Sequence, residues 1–156
     1  RNDRAVSSTQ ATQIIFLASG NTFVGDIRST GSSTSYNTSS DYRLKENVTT
    51  ISDGITRLKT LKPSRFNFIS NPSQTVDGFL AHEVTAVPEA ISGTKDEVVT
   101  QAMIDNGDAP SDSKLNDPIY QQIDQAKLVP LLTAALQEAV AKIETLESKV
   151  AALEGS

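Results

Sequence analysis

Hydrophobic and polar positions change rhythm along the chain. Ile14 to Ala18 (IIFLA) and Thr22 to Ile27 (TFVGDI) are short apolar runs either side of Ser19-Gly20-Asn21. Apolar β-formers bounded by a Gly/Asn signal predict two strands joined by a turn. Ser29 to Ser40 is then almost wholly Ser, Thr, Gly and Asn, apart from Tyr36. Such a stretch has too little apolar surface to form a core by itself. It reads as a flexible linker, or as extended chain in an intertwined fibre whose neighbouring chains supply the missing contacts. Composition alone favours the linker.

From residue 40 to 104 the pattern predicts a small α+β unit. Ile51, Ile55, Leu58 and Leu61 recur at helical spacing, with Ser52 as N-cap and Pro63 as stop. Ser64 to Ile69 (SRFNFI) alternates, which places Phe66 and Phe68 on one strand face. Asn71-Pro72 signals a turn. Ala81 to Val87 predicts a short helix ended before Pro88, and Glu97 to Gln101 (EVVTQ) a strand. Phe66, Phe68 and Phe79 are the expected aromatic core. Asp105 to Asp117 reads as a solvated acidic loop, because its carboxylate spacing misses the calcium-loop pattern.

Residues 126–154 carry the most regular pattern. Val129, Leu136, Ile143 and Val150 repeat at seven-residue spacing, and so do Leu132, Ala139, Leu146 and Leu153. Taken as a and d, they describe a coiled-coil seam. Lys142 and Lys149 then fall at g, with Glu147 and Glu154 at the following e, the charge pattern of parallel strands. β-branched residues at three a positions with Leu at most d positions lean toward two strands. Ala139 and the shortness of the coil weaken that lean, so the heptads alone leave the strand number open.

Composition narrows the classes. Apolar residues are 37% and aromatics 5% of 156 residues, with no Trp, so one chain buries only a thin core. No Cys is present to staple it, which leaves oligomerisation as the expected support. Fourteen basic against nineteen acidic residues give a net charge of −5, a poor fit to nucleic acid or an anionic membrane. No apolar run is as long as a membrane span. The opening residues lack the apolar centre of a signal peptide and read as mid-chain, which predicts a piece of something longer.

Candidate chemistry is sparse. Phosphate loops, HExxH, Cys-based metal sites and GxSxG elbows are all missing, so neither metal nor cofactor is expected. Ser40-Asp41-Tyr42-Arg43-Leu44-Lys45 holds the ingredients of a Ser-Lys dyad. A serine hydroxyl is inert without a base. Lysine serves as one only when neutral, and its reference pKa is about 10.4. Burial or a nearby cation lowers it; Arg43 offers the cation and oligomer contacts the burial. In a straight strand Ser40 and Lys45 point to opposite faces, and in a helix they diverge. They meet only across a turn or a subunit boundary. On chemistry alone the pair reads equally as a polar connector.

The segment SDYRLKENV, Ser40 to Val48, resembles the opening of the endosialidase-type intramolecular chaperone domain, the S74 peptidase family. Further pieces follow in order. Leu61-Lys62-Pro63-Ser64-Arg65-Phe66-Asn67-Phe68 is similar to its Leu-x-Pro-x-x-Phe-x-Phe strand. Gly78-Phe79-Leu80-Ala81-His82-Glu83-Val84 resembles its Gly-Phe-x-Ala-x-Glu-Val segment, with Pro88-Glu89 after it. Ile123-Asp124 and Lys127 to Leu132 are similar to the run that leads into its terminal coil, and GDIRSTGSSTSYNTSS to the fibre tail that precedes it. The likeness spans roughly residues 24–154.

What the resemblance implies is specific. Such domains end phage tail fibres, neck appendages and tailspikes. They assemble three chains, fold the upstream β-rich fibre as their client, and cut themselves off. Ser40 matches the nucleophile, Lys45 the dyad lysine, and Ser39–Ser40 the scissile bond. Residues 1–39 become the end of the fibre, and 40–156 the chaperone, with 126–154 its trimeric coil. The fold class is α+β, with a long C-terminal helix. Arg43, Glu46, Asn47, His82 and Glu83 are supporting candidates. Glu46 and Asn47 are placed to orient Ser40 or cap the next element. Glu83 is placed to pair with Arg43 or Lys45, or to bridge locally. The implied setting is the host cytoplasm during assembly, then the virion tail. Two other readings compete: a non-cleaving structural trimerisation module, and a receptor-binding tip. The tip would call for exposed aromatics, of which the sequence has few.

Overall fold

The computed structural model describes residues 11–155, and these form two compact units divided between Thr49 and Thr50. Strand and helix are mixed, as the α+β class requires.

The first unit is an antiparallel sheet of three strands in sequence order: β1 (Ala11–Ala18), β2 (Thr22–Ser29) and β3 (Thr34–Thr38). The turn expected at Ser19-Gly20-Asn21 joins β1 to β2, with Gly20 and Asn21 both at positive φ. Strand β3 falls inside the stretch expected to be a linker. It pairs with β2 from Ser29↔Thr34 to Gly25↔Thr38. Strand pairing satisfies backbone groups and needs no apolar side chains, so a polar segment adds an edge strand to a sheet its neighbours have begun. Among the described residues of this unit, no second layer covers the sheet. Ile14, Ile15, Phe16, Leu17, Phe23 and Val24 stand 41–57% exposed.

The second unit is built on a short helix, several turns and one long helix. Helix α1 (Gly54–Leu58) starts two residues after the expected Ser52 cap and has five residues. Its N-cap, Asp53, makes no capping bond; instead the N–H groups of Gly54 and Ile55 donate to the Glu138 carboxylate. Strands β4 (Ser64–Phe68) and β5 (Asn71–Gly78) form a hairpin. Asn71 and Pro72 already belong to β5, so the turn lies at Ile69-Ser70 and not at the Asn-Pro signal. Phe66 and Phe68 share a face, edge to face, with ring centroids 5.3 Å apart. Phe68 is nonetheless 60% exposed, so it is not the core residue its chemistry suggests.

Where a helix over Ala81–Val87 was expected, only a 3-10 turn forms at Ala81–Glu83. The expected strand at Glu97 is reduced to a bridge between Val98 and Pro118. Gln101 starts helix α2 (Gln101–Asn106), with Thr100 as its cap. β6 (Ile91–Ser92) pairs with β7 (Gln122–Ile123). In the acidic loop, Asp117 accepts a bond from the Lys114 N–H, a turn-forming use of a carboxylate.

Helix α3 (Val129–Glu154) closes the chain with 26 residues. Its early turns bury Leu131, Ala134 and Ala135. Leu131 joins Leu61, Val84, Val87, Ala90 and Leu128 in the core, against which Leu58, Phe79 and Ile91 pack. This inward face lies beside the heptad seam and does not use it. Val129, Leu132, Leu136, Ile143, Leu146 and Val150 remain 46–66% exposed. No helix among the described residues is long and apolar enough to cross a membrane.

Candidate active site

Ser40 lies two residues past the end of β3, and Lys45 follows one 3-10 turn over Tyr42–Leu44. Extended backbone at Asp41 and Lys45 flanks that turn. The Leu44 N–H donates to the Asp41 carbonyl and the Lys45 N–H to the Tyr42 carbonyl, both at 3.1 Å. The chain therefore doubles back on itself. Lys45 Nζ comes to 2.7 Å from Ser40 Oγ, donating a hydrogen bond. Of the two ways to bring this pair together, a turn or a neighbouring subunit, the turn within one chain suffices.

Asp41 builds the hook. Its Oδ1 accepts from the Arg43 N–H at 2.9 Å, an aspartate turn that starts the 3-10 segment. The same carboxylate takes the guanidinium in a fork, with Nε at 2.9 Å and Nη2 at 2.8 Å. The Arg43 side-chain bond, then its backbone bond, hold the Asp41 carboxyl below the usual carboxylate range. Asp41 reciprocally raises the Arg43 guanidinium. Arg43, expected as a cation for Lys45, thus spends its charge on Asp41. The Asp-x-Arg spacing is the sequence signal for this turn.

Both Ser40 and Lys45 are exposed in the single chain. Glu46 is also exposed. Asn47 has φ of 53°, a left-handed conformation that asparagine tolerates well, and it turns the backbone after the hook. On the other side of the pair, Ser39 is tied to β2: its N–H donates to the Val24 carbonyl at 2.9 Å and its Oγ to the Phe23 carbonyl at 3.3 Å.

His82 and Glu83 belong to the second unit. Glu83 takes the local option: its carboxylate pairs with Lys62 Nζ at 3.0 Å. His82 is exposed and lines a shallow groove of about 260 Å³ with Thr94, Glu97, Ile119 and Tyr120.

A serine and a lysine held in contact by a 3-10 hook, ahead of a small α+β unit with a long terminal helix, define the class to which the chain is to be compared. Residues 40–92, about a third of the chain, match the family model of the S74 peptidases, described as chaperone of endosialidase. The match begins at Ser40 and takes in the hook, α1, the β4–β5 hairpin and the His82 segment, as the motif resemblance predicted. No curated protein matches the sequence.

Proposed function

We propose that this chain is the C-terminal intramolecular chaperone of a phage tail fibre or spike, which trimerises, folds the fibre segment ahead of it, and severs itself between Ser39 and Ser40. The family match supports the chaperone role. The 2.7 Å contact between Lys45 Nζ and Ser40 Oγ, placed where that match begins, carries the cleavage reading. The open heptad face of α3 supports assembly through the terminal helix. Assembly then takes place in the host cytoplasm, and the mature fibre joins the virion tail.

Chemically, a neutral Lys45 amine accepts the Ser40 hydroxyl proton, reversing the hydrogen bond an ammonium donates. Ser40 Oγ attacks the carbonyl carbon of Ser39. The C–N bond of the Ser39–Ser40 peptide breaks, and its nitrogen leaves as the amine of Ser40, taking the proton from Lys45. Ser39 is now an ester on Ser40 Oγ. Water adds to that ester, releasing the Ser39 carboxylate and regenerating the hydroxyl. The nucleophile sits one residue from its target, so the reaction is intramolecular. Well-oriented intramolecular attack reaches effective molarities of about 10⁵ M or more. A single turnover tolerates a modest base.

Lysine must lose its proton first, and desolvation is the usual means. The pair is exposed in one chain, so the missing burial falls to neighbouring chains in the trimer. Cleavage would then report completed assembly, and release of the chaperone would leave a fibre that is hard to unfold.

Denaturing electrophoresis with mass spectrometry tests this directly. The assembled wild type should yield a fragment starting at Ser40, while Ser40→Ala and Lys45→Met stay full length. A wild type that remains intact once trimeric overturns autoproteolysis. The non-cleaving trimerisation module would then stand; the exposure of both dyad side chains and the pairing of Arg43 with Asp41 favour that second reading.

A further inference from the structure

The dyad has a rival inside its own hook. Across one helical turn, a carboxylate and a lysine four residues further on are ordinary salt-bridge partners. Asp41 and Lys45 have that spacing across the 3-10 turn. A carboxylate that captured Lys45 would draw Nζ away from Ser40 and hold it as ammonium, since a nearby opposite charge favours the charged form. The structure shows neither. Lys45 Nζ donates to Ser40 Oγ at 2.7 Å, and both oxygens of Asp41 are taken by Arg43. Oδ1 accepts from the Arg43 N–H and from Nε, each at 2.9 Å, and Oδ2 accepts from Nη2 at 2.8 Å. Two parallel charge-assisted bonds match a carboxylate better than the single point charge of a lysine ammonium. The Asp41 side chain is 40% exposed and that of Arg43 74%, so the pair adds little stability. What it decides is which cation the carboxylate holds. Residues 11–49 carry six charged side chains: Asp26, Arg28, Asp41, Arg43, Lys45 and Glu46. Asp26 is buried and satisfied by Arg28 and Asn37. Glu46 follows Lys45 on extended backbone (φ −126°, ψ 141° at Lys45), where successive side chains leave from opposite faces. Asp41 is thus the carboxylate of this unit that competes for Lys45. It is also needed, because the 3-10 turn loses its cap without Oδ1.

We propose that Arg43 is a guard: its fork occupies both oxygens of Asp41, so the aspartate shapes the hook without pairing with Lys45, and the lysine is left to serve as base. Arg43 acts through Asp41 and is a positioning residue. This rests on the autoproteolytic reading and gives Arg43 a task within it. The guanidinium does not act on Lys45 as a neighbouring cation; it withdraws an anion from it. The hook thereby meets two opposed demands, a carboxylate oxygen for the turn and no free carboxylate for the base.

The experiment uses the full chain, recovered unfolded in urea and refolded by dilution into buffers from about pH 6 to about pH 10, a range that reaches the reference pKa of lysine. Wild type, Arg43→Gln, Arg43→Met and the double variant Asp41→Asn/Arg43→Gln are compared. Oligomer mass is followed by light scattering, together with the first-order rate at which the fragment starting at Ser40 appears. Both single variants free the Asp41 carboxylate, and running two keeps the test from depending on one replacement. We expect them to assemble to the wild-type mass, to cleave at least roughly tenfold more slowly at neutral pH, and to show a rate–pH curve displaced upward by about one unit. In the double variant, asparagine still offers an oxygen to the Arg43 backbone N–H position but carries no charge. Its curve should return most of the way to that of the wild type. A merely structural role for Arg43 would slow cleavage by the same factor at every pH and would not be relieved by Asp41→Asn. That outcome, failure of both single variants to assemble, or single-variant curves that coincide with the wild type overturns the guard and leaves autoproteolysis standing. An assembled wild type that never cleaves overturns both.

Discussion

Asp26 faces opposing influences. Burial pushes its carboxyl pKa up, while bonds from Asn37 and Arg28 pull it down, and the net direction is down. A carboxyl whose folded pKa is depressed binds fewer protons folded than unfolded. Its stabilising contribution is complete above the unfolded pKa of about 3.9 and disappears as pH falls through the lower folded value. The sheet of wild type should therefore exceed that of Asp26→Asn in stability at neutral pH, and the gap should close below about pH 4. Hydrogen exchange of the β2 amides across that range measures it; a gap independent of pH would count against the assignment. Glu83 and Arg43 carry a related lesson. Charge made both candidates for pairing at the dyad, Arg43 by its place in the hook and Glu83 by its place in a motif segment, but Glu83 pairs with Lys62 and Arg43 with Asp41. Exposed pairs like these contribute little to stability, and their effect is to orient or to neutralise.

At the scale of elements, α1 and β3 show how tertiary contacts override local pattern. The helical spacing from Ile51 to Leu61 was legible, yet only Gly54–Leu58 is helix. The reason lies in α3. The first residue of α1 is buried against that helix, where a Cβ on Gly54 would stand 2.6 Å from Ala135 N and 2.8 Å from Ala134 C. Glu138 supplies the cap that Ser52 was expected to give. Gly54→Ala should accordingly destabilise the second unit by about 1–3 kcal/mol, the usual cost of overpacking. A lowered urea midpoint at unchanged slope is the expected reading; an unchanged midpoint would show that α1 slides without cost. In β3, the polar composition correctly signalled that no core forms there. It was silent on strand pairing, because backbone hydrogen bonds are almost independent of side-chain polarity.

For the molecule as a whole, α3 serves two masters on adjacent faces. One face completes the core of its own chain through Leu131, Ala134 and Ala135. The other, the heptad seam, is left to solvent in the single chain. Each fully buried Leu, Ile or Val gains about 1.5–3 kcal/mol, so the seam is a strong drive to association. We expect the wild type to sediment as three chains, and Ile143→Asp or Leu146→Asp to shift the mass toward one. Because those positions lie outside the folded core, the far-ultraviolet spectrum of the second unit should survive better than the assembly. If assembly supplies the burial that Lys45 needs, cleavage falls in the same variants. A charged seam with undiminished trimer mass would place the interface elsewhere.

Local pattern was enough for the hairpin of β1 and β2, the β4 strand, the long terminal helix with its apolar seam, and the serine and lysine of the candidate site. These follow from periodicity, turn residues and residue chemistry, which are local properties. That Ser40 and Lys45 touch within one chain is a property of the folded backbone: Asp41-x-Arg43 signals a turn, but the path of the chain through it settles which side chains meet. Only the tertiary structure decided that β3 is a strand, that α1 is short, and that α3 keeps its seam clear of its own core. In each case the deciding contact joins residues far apart in the chain, or reverses its direction, and a pattern read along one dimension carries no record of either.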